Sequence, residues 1–203
     1  MWGFTGILGK LIHLDPQYLV WHRILIAFLS LFIGLYVLKM PMKIPTRALT
    51  WKVFGVGVIV ALHWITFYTS IHLSTASLGI LCLSTTTLHV TWLEPLVFRK
   101  RFSWVEFSFG LAVILGIYFV SSDFDSEQYV ALIIGLMAAL LAALFSVFNA
   151  KLAETVPAPA ITLHEMGIGL VFLTGMLLFN GKLNEQLFNM RWSDFFWLLF
   201  LGI

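Results

Sequence analysis

Residues 83–101 read LSTTTLHVTWLEPLVFRKR. Hydroxyls, His89 and Glu94 stand inside an apolar stretch that closes on three consecutive cations, Arg99, Lys100 and Arg101. Taken from Ala76, the segment exceeds the ~20 residues with which a helix crosses ~30 Å of hydrocarbon. A membrane strand would show about ten residues of alternating polarity instead. The stretch therefore reads as a membrane helix that carries more polar groups than a lipid-filled span requires.

The same pattern recurs on both sides of it. Apolar segments at 18–38, 53–71, 104–120, 129–149 and 160–179 are separated by short polar breaks. Residues 2–13 and 193–203 are apolar too, but at ~1.5 Å per residue each covers only about half a crossing. Sixty per cent of the chain is apolar and 11% charged, with 19 Phe and 8 Trp, against roughly half apolar and a quarter charged in a soluble domain. The expected fold is all-α, a polytopic transmembrane helix bundle with about seven to eight helices present. In the 104–120 segment Gly110 and Gly116 are expected to be small-residue packing points. Cys82 stands alone, so no disulfide joins the chain to itself, and no cleaved signal peptide is expected.

Orientation follows from the cations. The connections after the second, fourth and sixth helices hold Lys39, Lys43, Arg47 and Lys52, then Arg99, Lys100 and Arg101, then Lys151. The alternate connections hold Lys182 and Arg191, and Lys10 and Arg23 lie within apolar segments. The positive-inside bias places the first set in the cytoplasm and the acidic 121–128 connection outside.

Self-comparison shows an internal echo. Gly3-Phe4-Thr5 to Lys10-Leu11 lies over Leu144-Phe145-Ser146 to Lys151-Leu152 at an offset of 141 residues, and Trp51 lies over Trp192 at the same offset. With one residue of slack, His22-Arg23 lies over His164-Glu165. A unit with an odd number of spans, repeated, is inverted, so the pattern predicts inverted five-helix repeats, 1–121 and 122–203. The offset also predicts a first helix lacking its opening residues and a second copy stopping as its third helix begins, a fragment of a ten-helix protein.

Ionisable side chains at a helix centre cost at least ~2.5 kcal/mol and so tend to face a cavity or a partner. His63 lies about ten residues into its segment and His89 about thirteen into an oppositely directed one, both near the midplane. Cys82, Thr85, Thr86, His89 and Leu93 share one helix face, and Thr66, Phe67 and Ser70 share the His63 side of the third helix. His63, Trp64, Phe67, Thr85, Thr86 and His89 are therefore the candidate substrate-lining residues. The competing account has the hydroxyls bond back to their own helix or across to a neighbour as packing. Arg23 and Glu165, related by the repeat, and Glu94 are candidates for gating or proton coupling. The competing account makes them static pairs or snorkelling side chains, with Glu94 reaching toward Arg99.

The layout resembles the EamA family within the drug/metabolite transporter superfamily. The resemblance is carried by Trp2-Gly3, His22-Arg23 with Ala27, Thr75-Ala76-Ser77, Gly110 to Gly116, Phe145-Ser146 to Asn149, and Leu163-His164-Glu165-Met166. Two positions depart from it. Thr85-Thr86-Thr87 stands where many members have a proline, with Pro95 farther along, and Arg99-Lys100-Arg101 replaces a common Gly-Glu-Arg. The resemblance implies a carrier of two inverted halves, and export as its direction.

Phosphate loops, paired Cys/His zinc spacings and nucleophile elbows are absent from the sequence, so neither an enzyme nor a cofactor is expected. The six histidines are spread singly, which argues against a metal cluster, and the cations mark topology rather than a nucleic-acid surface. The expected function is movement of a small metabolite, amino acid or drug-like compound across the cytoplasmic membrane by alternating access, with possible proton coupling. A structural or sensory membrane protein that moves nothing is the alternative.

Overall fold

Polar side chains set where several helices begin. Thr46, Thr75, Ser103 and Asp125 each accept a hydrogen bond from the backbone N–H three residues on, and Asp15 accepts from that of Gln17. Each such bond satisfies an otherwise orphaned donor of the first turn. In the computed structural model, which describes residues 2–121 and 124–202, the helices are α1 (Trp2–Leu11), α2 (Pro16–Val37), α3 (Arg47–Leu73), α4 (Ala76–Ser84), α5 (Thr86–Phe98), α6 (Trp104–Val120), α7 (Ser126–Leu152), α8 (Ala158–Phe179) and α9 (Trp192–Gly202). Met1, Ile203 and, in the acidic connection, Ser122 and Asp123 lie outside the described residues.

The protein is a polytopic helical bundle. Among the described residues five segments are long and apolar enough to cross a membrane: α2, α3, α4 together with α5 (Ala76–Phe98), α7 and α8. The 17-residue α6 and the shorter α1 and α9 are apolar as well.

Capping moves two boundaries from where hydropathy alone sets them. Thr46 starts α3 at Arg47, so Arg47 and Lys52 are helical and the basic connection ends at Thr46. A reciprocal capping box between Asp125 and Gln128 starts α7 at Ser126. Lys10, inside an apolar segment, caps a neighbouring helix. Its ammonium donates to the carbonyls of Ile71 and Ser74 at 3.1 and 2.8 Å, at the negative end of α3.

α3 lies at the centre, packed along α7 and α8 and touching α2 and α4. α7 in turn receives α4 and α5, while α2 packs on α8 and α9. One core cluster gathers Tyr18, Leu19, Phe67, Tyr68 and Ile71 with Leu173 and Leu198. A second gathers Val53, Val56 and Val60 with Leu152, Val156 and Ile161. Trp64 and Met166 border both clusters and so stand where they meet. α6 is peripheral and exposes Trp104, Phe109, Leu115, Tyr118 and Phe119, as a lipid-facing helix does. Gly110 seats it on Leu88, since a Cβ there would lie 2.7 Å from the Leu88 side chain. Gly116 is not a packing point: nothing lies within 4 Å of the place its Cβ would occupy, because this part of α6 faces outward.

Candidate functional site

The site is built on a close seam between α7 and its neighbours. α7 presents Ala131, Gly135, Ala138, Ala139, Ala142 and Ala143 inward, and small residues let helix backbones approach. A Cβ on Gly135 would stand 2.7 Å from Cys82 Sγ and 2.8 Å from Ser70 Oγ. Side chains of three helices then reach α7 carbonyls. Ser70 donates to Ala131 at 2.8 Å, Cys82 to Leu132 at 3.8 Å, and Thr86 to Ala139 at 3.4 Å. His63, fully buried, completes the row with its Nδ1 at 2.8 Å from the carbonyl of Ala138.

A carbonyl only accepts, so Nδ1 carries the proton and Nε2 is the free ring position. That nitrogen is buried and has no hydrogen-bond partner. Around the His63 imidazole stand three aromatic rings, with centroid separations of 4.9 Å to Trp64, edge-on, 5.3 Å to Phe145 and 6.1 Å to Phe67, stacked. On Trp64 lies the guanidinium of Arg23, 3.6 Å from the ring centroid, and the same guanidinium donates to the Tyr68 hydroxyl. Tyr68 stacks on Trp64 at 6.0 Å. Arg23, Trp64, Tyr68, His63, Phe67 and Phe145 thus form one continuous cluster across α2, α3 and α7. Arg23 has no carboxylate partner among the described residues.

Glu165 belongs to a second group. Its side chain is 2% exposed, its Oε2 accepts from Asn149 Nδ2 at 3.2 Å, and Oε1 is buried without a partner, as is Asn149 Oδ1. α3 passes closely here, since a Cβ on Gly57 would lie 3.1 Å from the Glu165 Cα and 3.0 Å from Ile168.

The remaining candidates are held elsewhere. Thr85, fully buried, donates to Cys82 O at 2.7 Å and marks a break between α4 and α5. Thr87 and Thr91 bond back to carbonyls three residues earlier at 3.0 and 2.7 Å, and Ser84 does the same. This local competition for carbonyls is what bends helices rich in Ser and Thr, and it breaks the span at Thr85 rather than at Pro95. His89 is half-buried, edge-on to Trp92 at 6.4 Å. Glu94 meets Lys100, at 3.5 Å, and not Arg99; Arg99 ends α5 in the left-handed region at φ 55°, which turns the chain before Lys100.

The sequence model of the EamA-like transporter family matches residues 1–122, more than half of the chain. The chain belongs to that family. Among curated proteins and among solved structures there is no match. As an EamA-like transporter with membrane-length helices, the protein is a multi-pass membrane transporter. A cavity of about 260 Å³ lies between the end of α1, the start of α2 and the end of α3, lined by Lys10, His13, His72 and Tyr68 among others. Tyr68 is shared, since its ring lines this cavity while its hydroxyl binds Arg23. A second cavity, about 500 Å³, lies between α3, α5 and α7 at their other ends.

Sequence reading did not single out Tyr68, Phe145 or Asn149 as site residues. Tyr68 stands one turn after Trp64, and Asn149 is a polar residue within an otherwise apolar run; both carried a visible signal. Phe145 carried none beyond its place in the expected repeat.

Proposed function

We propose that this chain carries a small organic solute across the cytoplasmic membrane by alternating access, with export as its direction. One observation carries the reading: a buried, unpartnered His63 Nε2 ringed by aromatics, beside a guanidinium without a carboxylate partner, where the two core clusters meet. Buried polar atoms without partners call for a ligand, water or a moving group, and midplane sites in repeat-built transporters are where solutes bind. His63, Trp64 and Phe67 form the solute site, with Thr86 on the same α7 seam and Thr85 and His89 on the broken helix beside it. Arg23 with Tyr68 closes that site from the α1 side. Glu165 with Asn149 is the corresponding closure toward the basic ends, and a proton on Glu165 or Glu94 couples the cycle to the pH gradient.

The inverted-repeat reading has support from packing. Under the 141-residue offset α7, α8 and α9 correspond to α1, α2 and α3. The pairs α3 with α7 and α3 with α8 then have counterparts in α9 with α1 and α9 with α2, and all four occur. The boundary at residue 121 stands one residue from the end of the family match. The basic ends of α3, α5 and α7 face the cytoplasm in this reading.

The test is uptake into inside-out membrane vesicles offered a mixture of cell metabolites, read by mass spectrometry with and without an imposed pH gradient. At least one solute is expected to accumulate above control vesicles and to be lost with His63→Ala. No accumulation of any solute would remove the carrier reading in favour of a structural role.

A further inference from the structure

The larger cavity plays no part in the site above. It lies between the first turns of α3, the last turn of α5 and the last turns of α7, with a volume of about 500 Å³. Leu49, Val56, Val97, Phe148 and Leu152 give it apolar walls. Lys52, Lys151 and Glu154 give it a charged lining at the helix ends. Lys151 is paired with Glu154 at 2.7 Å, whereas Lys52 has no ion-pair or hydrogen-bond partner among the described residues. Two lysines and one glutamate leave a single positive charge, the complement of one phosphodiester.

The surroundings point the same way. Lys100 and Lys151 stand 5.0 and 5.2 Å from the centre of the Phe98 ring, which extends the cationic border beyond the pocket. Trp51 and Phe54, both exposed on this end of α3 and 5.8 Å apart, form an aromatic pair of the kind that sits at headgroup level. Basic pockets between membrane helices on the cytoplasmic side are suited to lipid headgroups. A free phosphate would leave the accessible apolar walls, Leu49, Val97 and Phe148, uncovered, while a lipid covers them with its chain.

We propose that this pocket holds one anionic phospholipid of the cytoplasmic leaflet, its phosphate seated on Lys52 and steadied by Lys151, its acyl chain along Leu49, Val97 and Phe148. The choice of leaflet rests on the orientation proposed above; the binding itself rests on no transport step.

The test is native mass spectrometry of the purified full chain after delipidation, titrated separately with phosphatidylglycerol, phosphatidylcholine and inorganic phosphate. One phosphatidylglycerol is expected to be retained, with phosphatidylcholine weaker and inorganic phosphate not held. Lys52→Gln is expected to weaken phosphatidylglycerol about fivefold, the share of one cation at an anionic headgroup. Lys43→Gln, which removes a neighbouring cation outside the pocket, is expected to change nothing. Equal retention of the two lipids, equal retention by wild type and Lys52→Gln, or Lys52-dependent capture of inorganic phosphate would each overturn the proposal. Thiol labelling of a Lys43→Cys variant from either side of the membrane reports the leaflet separately, so a reversed orientation is distinguished from a failed lipid site.

Discussion

Arg23 and Trp64 are stacked: the guanidinium carbon lies 3.6 Å from the centre of the indole, and its Nη1 donates to Tyr68 on the next turn of the same helix as Trp64. A planar cation is needed for both contacts at once, because an ammonium can lie on a ring but cannot also present a fork of donors in the ring plane. Arg23→Lys is therefore expected to slow transport nearly as much as Arg23→Ala, by about tenfold, corresponding to the roughly 1–2 kcal/mol of a desolvated cation–π contact. Initial rates in vesicles check this, and full activity of Arg23→Lys would mean that charge alone matters there.

The Tyr68 ring depends on a glycine. A Cβ on Gly9 would run into Tyr68 Cε1, so Gly9→Ala must push the ring away and strain its bond to Arg23. The expected result is a leaky or stalled carrier, with solute efflux altered in the absence of a gradient. Unchanged transport by Gly9→Ala would show that the Tyr68 position has no part in closure.

His63 and the threonines of the broken helix separate by what holds them. His63→Ala removes the atom facing the aromatic ring set and is expected to abolish transport, and His89→Ala to impair it. Thr87 is exposed and bonds locally to the carbonyl of Ser84, so Thr87→Ala is expected to be near neutral. Equal tolerance of all three substitutions would dissolve the proposed site.

Two glycines make opposite predictions for stability. A Cβ on Gly135 would stand 2.9 Å or less from three atoms of Cys82 and Ser70, whereas nothing lies within 4 Å of one on Gly55. Gly135→Ala is expected to lower stability by about 1–3 kcal/mol through overpacking. Gly55→Ala is expected to be neutral or to gain up to about 1 kcal/mol from helix propensity. Thermal unfolding midpoints in detergent decide both.

Glu165→Gln keeps an oxygen to accept from Asn149 but cannot release a proton. If Glu165 carries the coupled proton, this variant retains solute exchange between loaded vesicles and loses accumulation driven by a pH gradient. Loss of both activities together would assign Glu165 a purely structural role.

Much of the fold was legible because hydropathy reports spans directly, and the bundle has the segments read from it. What escaped was set by short-range chemistry. Thr46 extends α3 by six residues beyond the apolar run that begins at Val53, since a cap bond outweighs local polarity. The break at Thr85 depends on hydroxyls choosing carbonyls of their own helix, a choice that spacing alone leaves open between bonding and lining. For the site, depth along a helix placed His63 near the midplane, but its acceptor lies 75 residues away on α7 and no local pattern names it. The repeat expected from the sequence singled out Arg23 and Glu165 as candidates; their partners Tyr68 and Asn149 follow from helix packing, which a single sequence does not spell out.

The row of α7 carbonyls has a mechanical consequence. If residues 1–121 and 122–203 are two inverted repeats, Ser70, His63, Cys82 and Thr86 belong to the first, and all four are fastened to the opening helix of the second. A motion that parted the molecule at residue 121 would have to tear this row open, at roughly 1 kcal/mol for each net hydrogen bond and more for each buried polar atom left bare. Under the alternating access proposed above, the pieces that rock would be interlaced rather than consecutive, with α7 travelling with α3, α4 and α5, so the hinge lines would run between helices and not at residue 121.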